Sequence, residues 1–205
     1  MQKLQIFNLP QRSNEWYALR RGVLTASDAA TIAANGVGLE TLCLRKALEL
    51  CTGITTDSYS NEDIERGIEQ ENEARALYSI QTGNTVSQVG FIMINHLVGC
   101  SPDGLIDEDG LVEFKCRNEL NHFKRLLGYT IDREHYAQCQ MQLLITGRKW
   151  NDYVCYNRNF PLDKQLVIER VYPDKKEMDK IQKGLERGHE LIIKHLKKFG
   201  EKNEH

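Results

Sequence analysis

Two acidic residues and a lysine lie close together in the stretch SPDGLIDEDGLVEFKC, residues 101–116. Asp103 comes before the turn-forming DEDG sequence, and Glu113 and Lys115 come after it. Because alternate residues of a strand share a face, Glu113 and Lys115 are expected on one side, with Val112 and Phe114 facing the core on the other. Two carboxylates that converge on one point repel each other unless a cation lies between them.

Such a pair of carboxylates suits Mg²⁺ or Mn²⁺, which also take phosphate oxygens as ligands. A lysine beside the ion can orient or activate a water molecule, or stabilise charge developing on a phosphate. The stretch therefore predicts phosphodiester hydrolysis. The alternative is a solvent-exposed charged hairpin, in which Glu113 and Lys115 form a solvated pair. The apolar neighbours in LVEF favour the first interpretation.

A β-sheet is needed to hold these residues in position, and the hydrophobic pattern of the chain predicts one. The predicted strands are 85–94, 97–100, 111–116, 150–156 and 165–172. The predicted helices are 14–21 after Ser13, a second from Thr25 or Ser27 to Ala34 closed by Gly36, then 39–50, 61–82, 120–127, 133–146 and a long one after Pro173. This order predicts an α/β fold with a central mixed sheet flanked by helices.

The composition fits one such domain. The chain has 205 residues, a formal net charge of −2 and no Pro/Gly-rich linker, so a single domain over residues 1–205 is expected. Within it, about 11–82 is the helical N-terminal part, about 85–172 the sheet core and about 173–199 the terminal helix. The absence of a membrane-length apolar run or a signal-peptide pattern favours a cytoplasmic protein without membrane contact. The six cysteines match no metal-binding spacing and are interpreted as core residues.

Four segments, in order along residues 11–156, carry a resemblance to a known family. They are EWYALRRGVLTASDAA, RGIEQENEAR, GCSPDGLI with GLVEFKC, and HYAQCQMQLLITG. Together they resemble the lambda-exonuclease branch, the YqaJ-type viral recombinases, of the PD-(D/E)XK nuclease superfamily. The resemblance implies a restriction-endonuclease-like core around the predicted sheet.

The resemblance also implies roles for individual residues. The catalytic set is Asp103, Glu113, Lys115, Glu71 and Gln138. The metal ligands are Asp103, Glu113, the backbone carbonyl of Phe114, and Glu71. Glu69 and Glu73 are alternatives to Glu71, which Arg75 is expected to support four residues further along the helix.

An anion site is indicated near the N-terminus. Arg20 offers a guanidinium fork, and Thr25 and Ser27 offer hydroxyls near a helix start. By resemblance, the residues that bind the terminal 5′-phosphate of DNA are Arg20, Ser27, Ser101 and Gln138. Arg21 is the alternative to Arg20. His135 stands where the family commonly has tyrosine, which leaves the roles of His135 and Tyr136 open.

The implied activity is a magnesium-dependent 5′→3′ exonuclease on double-stranded DNA ends, with Mn²⁺ as a substitute ion. It would release 5′-mononucleotides and leave 3′ single strands for recombination. The alternatives are a restriction-type endonuclease of the same fold and a non-catalytic DNA-end-binding protein. The resemblance further implies a homo-oligomer, a trimeric ring, working with a single-strand annealing protein, encoded by a phage or prophage and acting in the bacterial cytoplasm.

Overall fold

Two mixed sheets flanked by helices form the protein, in a computed structural model that describes residues 4–55 and 61–201, with the backbone alone for residues 61–68. The strands are β1 Gln5–Phe7, β2 Leu24–Thr25, β3 Val86–Ser87, β4 Phe91–Asn95, β5 Val98–Cys100, β6 Gly104–Ile106, β7 Gly110–Cys116, β8 Trp150–Tyr156 and β9 Leu166–Val171. The helices are α1 Asn14–Arg20, α2 Ala29–Ala34, α3 Val37–Thr52, α4 Asn61–Thr82, α5 Glu119–Leu126, α6 Arg133–Thr146 and α7 Lys175–Glu201, with 3₁₀ turns at Ala26–Asp28 and Leu162–Lys164.

The larger sheet has the order β3-β6-β7-β8-β9, with β7 at its centre. Strands β6 and β7 form an antiparallel pair around the DEDG turn, with Gly104 opposite Val112. Strand β8 runs parallel to β7. Parallel neighbours require a crossover connection, and α5 and α6 provide it. The predicted limits of α6 and β8 are confirmed residue for residue.

The two faces of β7 pack against different helices. Val112 and Phe114 belong to a core with Tyr78 of α4, which confirms the predicted inward direction of these two side chains. Leu111 belongs to a core with Cys139 and Leu143 of α6. Since Glu113 alternates with Phe114 along the strand, its side chain lies on the α6 side.

The N-terminal region differs from the prediction because it contributes strands to a second sheet. This sheet has the order β1-β4-β5-β2. Strands β1 and β2 have only three and two residues, too few for an alternating pattern. The single predicted strand 85–94 is two strands in different sheets, β3 and β4. The chain passes between the sheets at Gly90, where a Cβ would lie 2.3 Å from the carbonyl oxygen of Leu9.

Helix ends follow the predicted pattern with several corrections: α1 ends at Arg20 and not at residue 21, and α2 begins at Ala29, after the 3₁₀ turn that follows Thr25. Ser13 caps α1 as expected, its Oγ accepting a hydrogen bond from the backbone N–H of Trp16. Helix α2 ends at Asn35, whose φ of 51° closes the helix, and not at Gly36. Asparagine is one of the few residues besides glycine that tolerate this conformation, and Gly36 instead begins α3.

Helix α7, the long helix predicted after Pro173, is amphipathic and packs on α2 and α3 through its buried face. Close approach is possible because Gly184 lies against the backbone of Ile32, where a Cβ would be 2.0 Å from the carbonyl oxygen. All six cysteines are free; Cys43, Cys100, Cys139 and Cys155 are buried, and Cys51 and Cys116 are partly exposed. None of the helices that the structure describes is long and apolar enough to cross a membrane.

Candidate active site

Glu113 is the most firmly fixed acid of the predicted site. It is 2% exposed and has donors on both carboxylate oxygens. Its Oε1 accepts from Lys115 Nζ at 2.7 Å and from Gln138 Nε2 at 2.6 Å. Its Oε2 accepts from Gln142 Nε2, also at 2.6 Å. Gln138 and Gln142 are one turn apart on α6, so both amides reach the same carboxylate. Helix α6 therefore fixes the orientation of the Glu113 side chain on β7.

Asp103 directly precedes β6, the strand that pairs with β7. Its Oδ2 accepts a hydrogen bond from the backbone N–H of Phe114 at 2.7 Å, which fixes it beside Glu113. Both acids line one cleft of about 530 Å³. Burial raises the pKa of Asp103, and the negative charges of Glu113 and Glu71 raise it further. The structure therefore brings the two acids together, in an arrangement that is electrostatically unfavourable when both are charged.

Lys115 lies on the same face of β7 as Glu113 and pairs with it at 2.7 Å. Burial opposes the charged form of Lys115, but the charges of Glu113 and Asp103 outweigh it, and the pKa is raised. The neighbouring acids therefore favour the ammonium form of Lys115. In that form it can donate to a water molecule or a phosphate oxygen.

Helix α4 supplies the third acid of the predicted set. Glu71 lines a second cleft of about 430 Å³, which Asp103 also lines. The predicted i, i+4 contact is present, with Arg75 Nη2 donating to Glu71 Oε1 at 2.7 Å. Glu69 and Glu73 instead pair with Arg158. Of these three acids, only Glu71 lies beside Asp103.

The donor set fits a hard divalent ion. Among the side chains of residues 4–55 and 69–201, no three acidic, histidine or cysteine residues form a preformed ligand cluster. Two carboxylates and a backbone carbonyl nevertheless suit Mg²⁺, which keeps several of its waters and needs few protein ligands. The pKa of Asp103 is raised by burial first and by the negative charges of Glu113 and Glu71 second, and a bound cation would offset that negative charge.

All four predicted phosphate-binding residues line the same cleft as Asp103 and Glu113. They are Arg20, Ser27, Ser101 and Gln138. Arg21 is not among the residues that line it, which favours Arg20 of the two arginines. The guanidinium of Arg20 lies over the ring of Trp16, with its Cζ 4.1 Å from the ring centroid. Trp16 Nε1 also donates to Ser101 Oγ at 3.0 Å, so this ring connects two of the four residues.

Local structure brings the serines together from distant parts of the chain. Strand β2 pairs with β5, Thr25 lying opposite Gly99, so the segments after both strands meet. A capping box between Thr25 and Asp28 then turns the chain, and Ser27 remains exposed at the turn. The hydroxyls of Thr25 and Ser27 are 2.9 Å apart.

Three residues in or behind the cleft had no role assigned from the sequence. Gln142 holds Glu113 from behind the cleft, and its i, i+4 spacing from Gln138 was a usable signal. Trp16 lies inside the quoted EWYALR segment and had no role assigned. Lys46, buried on α3, lines the cleft and pairs with Glu49 at 3.5 Å. A Lys–Glu pair among apolar positions of a helix was the available signal for it.

His135 and Tyr136 are not among the residues that line the cleft. His135 Nδ1 is 2.9 Å from Arg117 Nη2. Burial lowers the pKa of His135 to about 4, and the charges of Lys115 and Arg117 contribute. Tyr136 donates its hydroxyl hydrogen to Asp174. His135 is therefore neutral near pH 7 and supports the region behind Lys115, while Tyr136 contacts the segment before α7.

Comparison with known proteins gives a consistent result. Residues 15–149 match the family of YqaJ-like viral recombinase domains. The chain is similar to the crystal structure of the alkaline exonuclease LHK-Exo from Laribacter hongkongensis, with 30% identity, a TM-score of 0.85, and coverage of 93% of this chain and 98% of that chain. A second crystal structure, LHK-Exo in complex with dAMP, matches at 31% identity with a TM-score of 0.83 and the same coverage.

A phage-related exonuclease from Haemophilus somnus 129PT shares the fold, at 13% identity and a TM-score of 0.62, with 94% of this chain and 97% of that chain covered. No curated protein sequence matches the chain. The family match over most of the chain and the similarity to the alkaline exonuclease agree with the cleft geometry. The chain belongs to the YqaJ-like viral recombinase family and is a DNA exonuclease.

Proposed function

We propose that this exonuclease degrades one strand of double-stranded DNA from its 5′ end, with Mg²⁺ as its ion and Mn²⁺ as a substitute. It releases 5′-mononucleotides and leaves a 3′ single strand for recombination. The observation that carries the proposal is that one cleft is lined by both acids and by all four phosphate-binding candidates. A pocket for a terminal phosphate beside the hydrolytic groups selects DNA ends.

Each residue has a defined task in this proposal. Asp103, Glu113 and the Phe114 carbonyl would hold the ion, and Glu71 would complete its surroundings from α4. A bound ion would supply a Lewis acid and an activated water. The Lys115 ammonium donates to that water or to a phosphate oxygen, which stabilises the negative charge that grows during hydrolysis.

The second group of residues positions the substrate. Arg20 provides a two-pronged donor for the terminal phosphate, with the hydroxyls of Ser27 and Ser101 beside it. Gln138 also bonds to Glu113 and therefore connects the phosphate pocket with the hydrolytic groups. The similar LHK-Exo has been crystallised with dAMP, a deoxynucleoside monophosphate of the class that we propose as product.

The proposal extends to the assembly. We propose that residues 1–205 act as one nuclease domain in a trimeric ring around the duplex, and that a single-strand annealing protein receives the 3′ strand. The formal net charge of −2 is compatible with a ring in which only the inner surface is basic. A phage or prophage origin and action in the bacterial cytoplasm complete the proposal.

The test compares three substrates: linear duplex with 5′-phosphate, linear duplex with 5′-hydroxyl, and closed circular duplex, each with Mg²⁺ or with EDTA. We expect mononucleotides from the linear duplexes in Mg²⁺, faster with 5′-phosphate, and intact circles. Strand-specific end labels report the polarity. Cleavage of closed circles would identify an endonuclease instead, and binding without degradation would identify an end-binding protein.

A further inference from the structure

Arg12 occupies a backbone position that disfavours its residue type. It is the third residue of the turn Pro10–Ser13, in which the Ser13 N–H donates to the Pro10 carbonyl at 3.3 Å. Its φ is 68°, in the left-handed region that favours glycine at this position of a turn. Strained residues of this kind cluster at functional sites, where the side chain is needed.

The turn is fixed to the catalytic sheet by its neighbour. Gln11 Nε2 donates to the Val89 carbonyl at 2.9 Å and to the Pro102 carbonyl at 3.1 Å. Pro102 directly precedes Asp103, so the turn and the catalytic acid are connected through one side chain. Ser13, on the other side of Arg12, caps α1. The direction of the Arg12 side chain therefore follows from contacts at both ends of the turn.

The Arg12 side chain lies where the two clefts meet. Among the residues whose side chains the structure describes, only Gln11, Arg12 and Asp103 line both of them. The side chain is 35% exposed, and its nearest acid, Glu71, is 3.6 Å away, which is too long for a hydrogen bond. Glu71 already accepts from Arg75 at 2.7 Å. Within the described part of the chain, the donors of Arg12 therefore remain available to a ligand in the cleft.

We propose that Arg12 binds an internal backbone phosphate of the strand that is being degraded, beside Asp103. This inference rests on the proposed function. A guanidinium binds the oxygens of a phosphate with two parallel hydrogen bonds. The position argues for an internal phosphate, because Arg20, Ser27, Ser101 and Gln138 line only the larger cleft, whereas Arg12 extends toward Glu71.

The substitution Arg12→Gly separates binding from folding, because the two effects have opposite signs. Glycine relieves the left-handed backbone, so the thermal midpoint should stay the same or rise. Affinity for a duplex end, measured by fluorescence anisotropy with Ca²⁺ in place of Mg²⁺ so that binding is observed without turnover, should fall about tenfold. The slope of the logarithm of the association constant against the logarithm of the salt concentration should become less negative by about one.

Two further variants define the effect. Arg12→Lys keeps the charge and should keep the salt dependence of the wild type while losing part of the affinity. Lys149→Ala removes an exposed cation that precedes β8 and lies near the far end of β7 from Lys115, about 20 Å along the strands, and should change neither affinity nor salt dependence. Both duplexes, with and without 5′-phosphate, should lose affinity equally in Arg12→Gly, since an internal phosphate is present in both.

Unchanged affinity and salt dependence in Arg12→Gly would overturn the assignment. A loss confined to 5′-phosphorylated duplex would also overturn it, because Arg12 would then belong to the terminal-phosphate pocket. The measurement is made on binding, so it is distinct from the degradation assay. If the wild type does not degrade linear duplex in Mg²⁺, the proposed function fails, whatever the binding of Arg12→Gly shows.

Discussion

The two central acids of the cleft are held in opposite ways. Glu113 is buried and accepts three side-chain hydrogen bonds, from Lys115, Gln138 and Gln142. Asp103 is partly exposed and accepts one backbone hydrogen bond. Its partial burial in the cleft, together with the charges of Glu113 and Glu71, raises the pKa of Asp103. The charge of Glu113 is thus stabilised by hydrogen bonds within the fold. The charge of Asp103 is instead destabilised, and a nearby cation would stabilise it.

The largest effect is expected on the cleavage rate of Lys115→Ala, a variant that removes the ammonium group beside the two acids. We expect cleavage to fall about a thousandfold, in line with the loss of one group that stabilises transition-state charge, while DNA binding changes little. Single-turnover rates and anisotropy measure the two quantities, with Lys149→Ala as control. Cleavage by Lys115→Ala at the wild-type rate would rule out the role assigned to Lys115.

The second prediction distinguishes the two acids by how their removal changes the free energy of unfolding. Glu113→Ala should lower the free energy of unfolding by about 3 kcal/mol, because it leaves a half-buried ammonium and two amide donors without their acceptor. Asp103→Asn should leave stability unchanged or raise it, since it removes a repelled charge. Both should lack exonuclease activity. Urea unfolding in EDTA measures the difference.

The pH dependence of the same experiment sharpens the contrast. A folded-state pKa above the unfolded value of about 3.9 means that the native state binds more protons. The metal-free wild type should therefore lose stability as pH rises from about 4 through the raised pKa of Asp103, and the Asp103→Asn variant should lose less. Equal pH profiles for the two proteins would contradict the proposed repulsion.

The smallest effect is expected in the phosphate pocket, away from the acids. Arg20→Ala should reduce the preference for 5′-phosphorylated over 5′-hydroxyl duplex about tenfold, since one charge-assisted contact is lost. Arg21→Ala is the matched control, because Arg21 is not among the residues that line the cleft. The ratio of initial rates on the two duplexes is the measurement. An unchanged ratio in Arg20→Ala would place the terminal-phosphate pocket elsewhere.

The sequence predicted those parts of the molecule whose signal is local. The β6–β7 pair follows from its turn residues, and α6 ends where Gly147 adopts a φ of 69°. Strands β1 and β2 could not be predicted, because their partners, β4 and β5, are distant in sequence and the strands are too short for a period. The same limit applies to Lys46, whose place in the cleft depends on how α3 packs and not on its neighbours in the chain.

The most direct test of the two acids is to locate a bound ion. Crystals soaked in Mn²⁺ would show it by anomalous scattering. We expect one peak about 2 Å from carboxylate oxygens of Asp103 and Glu113 and from the Phe114 carbonyl oxygen, and its loss in Asp103→Asn. No peak at saturating Mn²⁺, or a peak that contacts neither acid, would contradict a shared metal ion between them.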